Sequence, residues 1–337
     1  MLKQIKQILI RKLQTYRPNY INESKLNVLI QLNSFFTKNS WLNKVEKILV
    51  NKNNINFVFL RKKIQILRTI NYCDAGFLFD LSNSYLNSST KLKVIYLGVS
   101  GNEFNSSFMP ELKVYSSKGI SAKSISEYVL ANTIFIINKY NNCIENKVFR
   151  RWKQNLIIES EYNSIEKFKI GIWGVGNNGR AIAEKFGKLG CQVFGCDLKV
   201  SNDFPFIHKW FLFKDFDKFC DEIDILIISV SSDIGKKFQL DYNFIKKHLK
   251  HKYIINIARA NFINQKDLKK CLREKILSGA VLDVFEKEPL PFYDSLWHFK
   301  NLIITPHISG NINRFVSIIQ EDFLNKIAME FNLKVKI

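Results

Sequence analysis

Ile170-Gly-Ile-Trp-Gly-Val-Gly-Asn-Asn-Gly179 runs from an apolar strand-like stretch straight into a G-x-G-x-x-G loop, and Arg180 to Leu189 continues it as a helix. A lone glycine triplet says little. Here a strand precedes it, a helix follows it, Gly190 supplies the helix stop, and a second apolar run, Val193–Cys196, ends in Asp197 eighteen residues after Gly179. The residue types suit a dinucleotide. Gly174 permits the tight turn, Gly176 lets backbone approach a pyrophosphate, and Gly179 lets the helix lie close on the strand. Asn177 and Asn178, within the loop, are read as cofactor-binding with the glycines, and the N-terminus of the helix that follows offers unpaired amides and a positive dipole end to the phosphates. Asp197 can accept hydrogen bonds from ribose hydroxyls and would repel a 2′-phosphate, which favours NAD over NADP.

Downstream the rhythm repeats, with apolar runs at Ile225–Val230, Ile254–Ile257, Ala280–Val284 and Leu302–Thr305 separated by segments long enough for crossover helices. Near-continuous Ile, Val and Leu means strands buried on both faces, hence a parallel, doubly wound Rossmann sheet. Upstream, shorter β-like runs at Phe57–Leu60, Gly76–Phe79, Lys93–Leu97 and Lys113–Tyr115 predict a smaller, flavodoxin-like α/β lobe. The apolar positions Leu2, Ile5, Leu9 and Leu13, and again Leu26, Leu29, Leu32 and Phe36, fall at helical spacing and predict helices before the first strand. The expected fold is therefore two-lobed α/β. Residues 1–123 form a basic helical extension plus a substrate domain, completed by a C-terminal helix over 314–337, and residues 124–313 form the nucleotide domain. The basic extension is expected to lie outside the chemistry.

A chain of 337 residues fits about two domains. Hydrophobic and charged fractions of 46% and 24% are those of a packed globular protein. The six cysteines (Cys73, Cys143, Cys191, Cys196, Cys220, Cys271) show no C-x-x-C pair and no histidine at metal spacing, so no metal site is expected and the thiols read as reduced, in a cytoplasmic protein. The lysine-broken N-terminus lacks a signal-peptide core, and no apolar stretch is long enough to span a membrane. The net charge is +21, and residues 1–69 supply +12 of it. Solvated lysine surfaces account for this, and contact of residues 1–69 with nucleic acid or acidic lipid is the rival reading.

Three ionisable residues follow three successive strand-like runs: Arg259, Glu288 and His307. In an open parallel sheet ligands bind outside the carboxyl ends of the strands, so these side chains can converge beside a bound nicotinamide. Singly each has a dull explanation as a surface charge or a loop histidine. Together they supply an acid–base residue, a carboxylate to tune it and a cation for an anionic substrate.

Asn256-Ile-Ala-Arg-Ala260, Leu282-Asp-Val-Phe-Glu-Lys-Glu-Pro-Leu290 and Thr305-Pro-His-Ile-Ser-Gly310 resemble the three C-terminal signatures of the D-2-hydroxyacid dehydrogenase family, and the phosphoglycerate dehydrogenase-like members in particular. The glycine loop, Ser126-Glu-Tyr-Val-Leu130 and Leu92-Lys-Val-Ile-Tyr-Leu-Gly-Val-Ser-Gly101 extend the resemblance over roughly residues 74–320. It implies that His307 donates the proton to a substrate carbonyl, that Glu288 is its partner, and that Arg259 anchors the carbonyl and carboxylate. It further implies Ser100 and Gly101 at the substrate carboxylate, Ala258 and Asp283 near the nicotinamide, Ser231 along the cofactor edge, NAD as cofactor, and a homodimer. Implied substrates are 3-phosphoglycerate/3-phosphohydroxypyruvate, glyoxylate/hydroxypyruvate and other short 2-oxo acids. The chain departs from the family at Ala260, where glycine is usual, and at Ser229-Val-Ser-Ser-Asp-Ile-Gly235, which replaces a proline-leucine-threonine stretch. The alternative function is an NAD-sensing binding protein of the same fold without turnover.

Overall fold

The computed structural model describes residues 18–50, 52–79, 90–98, 111–152, 164–200, 204–230, 238–310 and 315–336. Leu2, Ile5, Leu9 and Leu13, and the site positions Ser100, Gly101 and Ser231, lie outside the described residues. The chain divides into two compact units, Met1–Ile120 with Asn313–Ile337, and Ser121–Ile312.

The first unit holds a five-stranded parallel sheet of β1 (Leu26–Gln31), β2 (Ile55–Leu60), β3 (Ala75–Leu78), β4 (Val94–Leu97) and β5 (Lys113–Ser116), in the order β2-β1-β3-β4-β5. This corrects the sequence reading, in which Leu26, Leu29, Leu32 and Phe36 marked a helix. Val28 and Ile30 face one core and Leu29 the other, all fully buried. A strand covered on both faces is apolar at every position, so some of its residues also satisfy a helical spacing, and periodicity alone cannot separate the two. Helix does form just beyond, at Lys38–Ile48, where the Thr37 side chain accepts from the Ser40 amide and the helix buries Trp41 and Val45. The C-terminal helix Phe315–Glu330 closes the same core with Ile319, Phe323, Leu324 and Ile327, and Trp41 meets Phe323 edge-on at 5.5 Å between ring centres.

The second unit holds a seven-stranded sheet, all neighbours parallel: β6 (Lys169–Trp173), β7 (Gln192–Asp197), β8 (Lys209–Leu212), β9 (Ile225–Ile228), β10 (Tyr253–Asn256), β11 (Gly279–Leu282) and β12 (Leu302–Ile304). The order is β12-β11-β10-β9-β6-β7-β8. β8 is the strand the sequence reading passed over; it is a four-residue edge strand with exposed or half-buried ends, so it lacks the continuous apolar run of its neighbours. Ile170 and Ile172 of β6 point into one core and Trp173 into the other, where Phe213, Phe216 and Phe262 surround it. The strand order reverses between β6 and β9, so a crevice opens at the carboxyl ends of those two strands. Among the described residues no helix is long and apolar enough to cross a membrane.

Candidate active site

The loop leaving β6 lies at this switch point. Gly174 has φ +93, and a Cβ there would stand 2.7 Å from Val230 Cα. A Cβ on Gly179 would stand 2.1 Å from the Gly174 carbonyl oxygen, so only glycine lets the helix Asn177–Lys188 start this close to the loop. Gly176 differs: among the described residues nothing beyond its chain neighbours comes within 4 Å of where its Cβ would be, and as the N-cap it offers no side chain to the helix amides. Uncapped amides beside open space are what a phosphate group needs. Asn177 and Asn178 form the first residues of that helix.

Asp197 ends β7. Its two oxygens accept from the amides of Val175 in the glycine loop and Leu198, each at 2.7 Å. A cavity of about 380 Å³ opens beside it, lined by Val175, Arg180, Asp197, Lys199 and Trp210 among others. The carboxylate thus ties β7 to the loop and borders a space that a nucleoside could fill.

The contrast between the two glycines is testable. Gly179→Ala is expected to lower the melting temperature, since overpacking costs about 1–3 kcal/mol, and to weaken dinucleotide binding. Gly176→Ala should leave the melting temperature unchanged and weaken dinucleotide binding by about tenfold or more, because its methyl fills only the approach to the amides. Calorimetric melting and a titration with NADH check both, and equal melting temperatures for the two variants would refute the packing argument.

The three candidate catalytic residues follow the ends of three adjacent strands. After β10, the buried Asn256 side chain accepts from the Ala258 amide at 3.0 Å and donates to the Arg259 carbonyl at 2.9 Å, holding Arg259 extended. The guanidinium donates through Nη1 to the Ala258 carbonyl at 2.7 Å, and Ala258 itself is buried. Ala260 opens a short 3₁₀ turn directly after the arginine. Beyond β11, Glu288 accepts from the Phe285 amide at 3.0 Å through Oε1 and meets His307 Nδ1 at 2.8 Å through Oε2. Burial alone would raise the Glu288 carboxyl, but the hydrogen bonds from His307 and Phe285, with the charges of His307 and Arg259, outweigh it and hold the group below the usual carboxylate range. The structure therefore brings Glu288 and His307 into direct contact and places Arg259 where its charge is felt at Glu288.

Asp283 is fully buried. It accepts from the Thr305 hydroxyl at 2.6 Å and from the Ile308 and Ser309 amides at 2.8 Å each. Those partners bracket His307, whose backbone takes the left-handed φ of 55. The sequence reading left Asn256, Thr305 and Tyr128 unassigned. A polar residue closing an apolar strand was the available signal for Asn256; Thr305 and Tyr128 lie inside two of the stretches that carry the family resemblance, which gave neither a role.

A family model for the D-isomer specific 2-hydroxyacid dehydrogenase, NAD binding domain, matches residues 133–309. A glyoxylate reductase of Thermofilum pendens is 31% identical over 141 residues, 42% of each chain. The matches span about half the length of the curated relatives. Among solved structures, the NAD-complexed D-isomer specific 2-hydroxyacid dehydrogenase of Lactobacillus delbrueckii superposes with a TM-score of 0.70 at 20% identity, covering 91% of this chain and 98% of that one. An NADPH-dependent glyoxylate/hydroxypyruvate reductase of Sinorhizobium meliloti, in complex with NADP and sulfate, gives 0.73 at 18% identity, covering 93% and 97%. These last two likenesses establish the two-domain α/β fold.

Proposed function

The chain belongs to the D-isomer specific 2-hydroxyacid dehydrogenases, and from that premise we propose that it is an NAD-dependent oxidoreductase moving a hydride between nicotinamide and C2 of a small 2-hydroxy or 2-oxo acid. The observation that carries this reading is the 2.8 Å contact of His307 Nδ1 with Glu288 Oε2, at a strand end next to that of Arg259. The nicotinamide, when bound, supplies or accepts the hydride. Gly174, Gly176 and Gly179 form the loop against which its pyrophosphate would lie, with Asn177 and Asn178 contributing helix amides. Arg259 holds the substrate carboxylate and draws electron density from the carbonyl. Glu288 fixes the imidazole through Nδ1 and stabilises its cationic form, so the proton on Nε2 can pass to the substrate oxygen as the hydride reaches C2. In the reverse direction the same nitrogen takes the hydroxyl proton. Asp283 supports the loop that carries His307.

The substrate class is a short 2-oxo acid such as glyoxylate, hydroxypyruvate or 3-phosphohydroxypyruvate. NADH oxidation measured over a panel of such acids tests the assignment; no turnover with any of them, alongside intact NADH binding, would favour the sensor reading instead. Preference for NAD over NADP rests on Asp197. Asp197→Arg should reverse the ratio of NADH to NADPH affinity, and Asp197→Ala should narrow it. The alanine variant should also weaken NADH by about tenfold, because the Val175 amide loses its charged acceptor. Equal affinity of the unaltered protein for both cofactors would sink the preference. The homodimer that the family implies is supported by the exposed apolar residues Ile144, Val148, Phe149 and Trp152, and light scattering would show it. Unpaired cysteines are in keeping with a reducing, cytoplasmic setting.

A further inference from the structure

We propose that Tyr128 is a positioning residue for His307, acting through Thr305 and the buried Asp283; the proposal rests on the dehydrogenase reading of this site. Tyr128 lies on the helix Ala122–Ile137, far from the catalytic signatures in sequence, yet its phenol oxygen stands 2.5 Å from Thr305 Oγ1. The direction of that hydrogen bond follows from what lies beyond it. Thr305 Oγ1 donates to Asp283 Oδ1 at 2.6 Å, and a hydroxyl has one hydrogen to give. Tyr128 must therefore be the donor to Thr305. Burial foremost pushes the Tyr128 phenol upward, and the negative charge of Asp283 adds to it, so the group keeps the proton it donates.

Asp283 is the point where this chain grips the catalytic loop. One carboxylate holds Thr305 on the near side of His307 and the Ile308 and Ser309 amides on the far side. Between them the His307 amide donates to the Thr305 carbonyl at 3.0 Å, and its φ of 55 lies where a residue with a side chain rarely sits unless its surroundings compel it. The orientation that presents Nδ1 to Glu288 is thus imposed by contacts outside the imidazole. Removing the phenol hydroxyl leaves the half-buried Thr305 oxygen short of a donor, frees its hydroxyl to turn away from Asp283, and loosens one end of the clamp. Glu288 is the charged group in contact with His307 at 2.8 Å, the Arg259 charge acts on Glu288, and Asp283 holds the residues on either side, so the approach to Glu288 follows the position of the loop.

The test is the NMR spectrum of the His307 imidazole at one fixed pH, assigned with His307→Ala, in the full chain and in Tyr128→Phe, Thr305→Val, Thr305→Ser and the Tyr128→Phe/Thr305→Val double variant. Tyr128→Phe and Thr305→Val should each move and broaden the His307 ring resonances, since the ring is held less firmly against Glu288. The double variant should change them no further than Thr305→Val alone, because both changes interrupt one chain. Thr305→Ser keeps the hydroxyl and should give the resonances of the unaltered protein. Where a substrate has been found, kcat should fall about three- to tenfold in Tyr128→Phe with NADH affinity unchanged. Unchanged resonances in Tyr128→Phe, or additive changes in the double variant, would overturn the proposal. If Thr305→Val does not fold, Tyr128→Phe and Thr305→Ser decide the matter. The spectrum needs no turnover, so absence of activity on every 2-oxo acid would strike the dehydrogenase reading while the resonances still judge the relay.

Discussion

His307→Ala is expected to lower kcat by about a hundred- to ten-thousand-fold while leaving NADH affinity nearly unchanged. In the proposed mechanism hydride arriving at C2 leaves negative charge developing on the carbonyl oxygen, and that charge must be met by a proton and by a cation. With Nδ1 turned to Glu288 at 2.8 Å, the proposal gives the proton transfer to Nε2. It gives the cation's part to Arg259, so Arg259→Ala should chiefly harm use of the acid substrate. Glu288→Gln separates the charge effect from the geometric one. The Glu288 carboxyl is held below its ordinary range, so it is an anion across the neutral region, and glutamine removes that charge. Because that carboxyl is depressed, the rate of the unaltered enzyme should hold as pH falls until it passes below the ordinary carboxylate range, an acid limb that Glu288→Gln lacks. Both side chains are partly exposed, so solvent screens the effect of the charge. Steady-state rates against pH for the three variants check this, and a His307→Ala enzyme with full activity would refute the mechanism while leaving the fold untouched.

The second large effect concerns the N-terminal segment. Removing residues 1–31 is expected to unfold the first unit, because β1 is paired with β2 on one side and β3 on the other. Val28, Leu29 and Ile30 are fully buried. Losing a single large apolar side chain from a core costs about 2–5 kcal/mol, and whole domains are stable by only about 5–15 kcal/mol. Deleting three such residues with their backbone pairing exceeds that margin. Limited proteolysis should show rapid cleavage within residues 32–120, and thermal melting should lose the transition of the first unit. A truncated chain that melts and resists protease like the full one would contradict the β1 assignment. The sequence reading set this region outside the chemistry as a helical extension, and its structural part is instead an interior strand of the first sheet.

The sequence by itself determined the second unit except for its edge strand β8, which does not carry an unbroken apolar run. A parallel sheet covered on both faces writes each strand as an unbroken apolar run, the turn after β6 admits only glycine at Gly174 and Gly179, and crossover connections put Arg259, Glu288 and His307 at the same edge of the sheet. These are local signals, legible because chain connectivity alone carries them to the site. Tertiary structure decided what depends on partners distant in sequence. β1 is a strand because β2 and β3 lie beside it, although its spacing also fits a helix. Asp283 became a buried anchor for three donors, which its place in an apolar run could not announce. Tyr128 meets Thr305 across 177 residues because the helix Ala122–Ile137 lies against the same sheet edge. No periodicity encodes that contact, since a hydrogen bond between two side chains depends on the packing of whole elements and leaves no pattern in either segment.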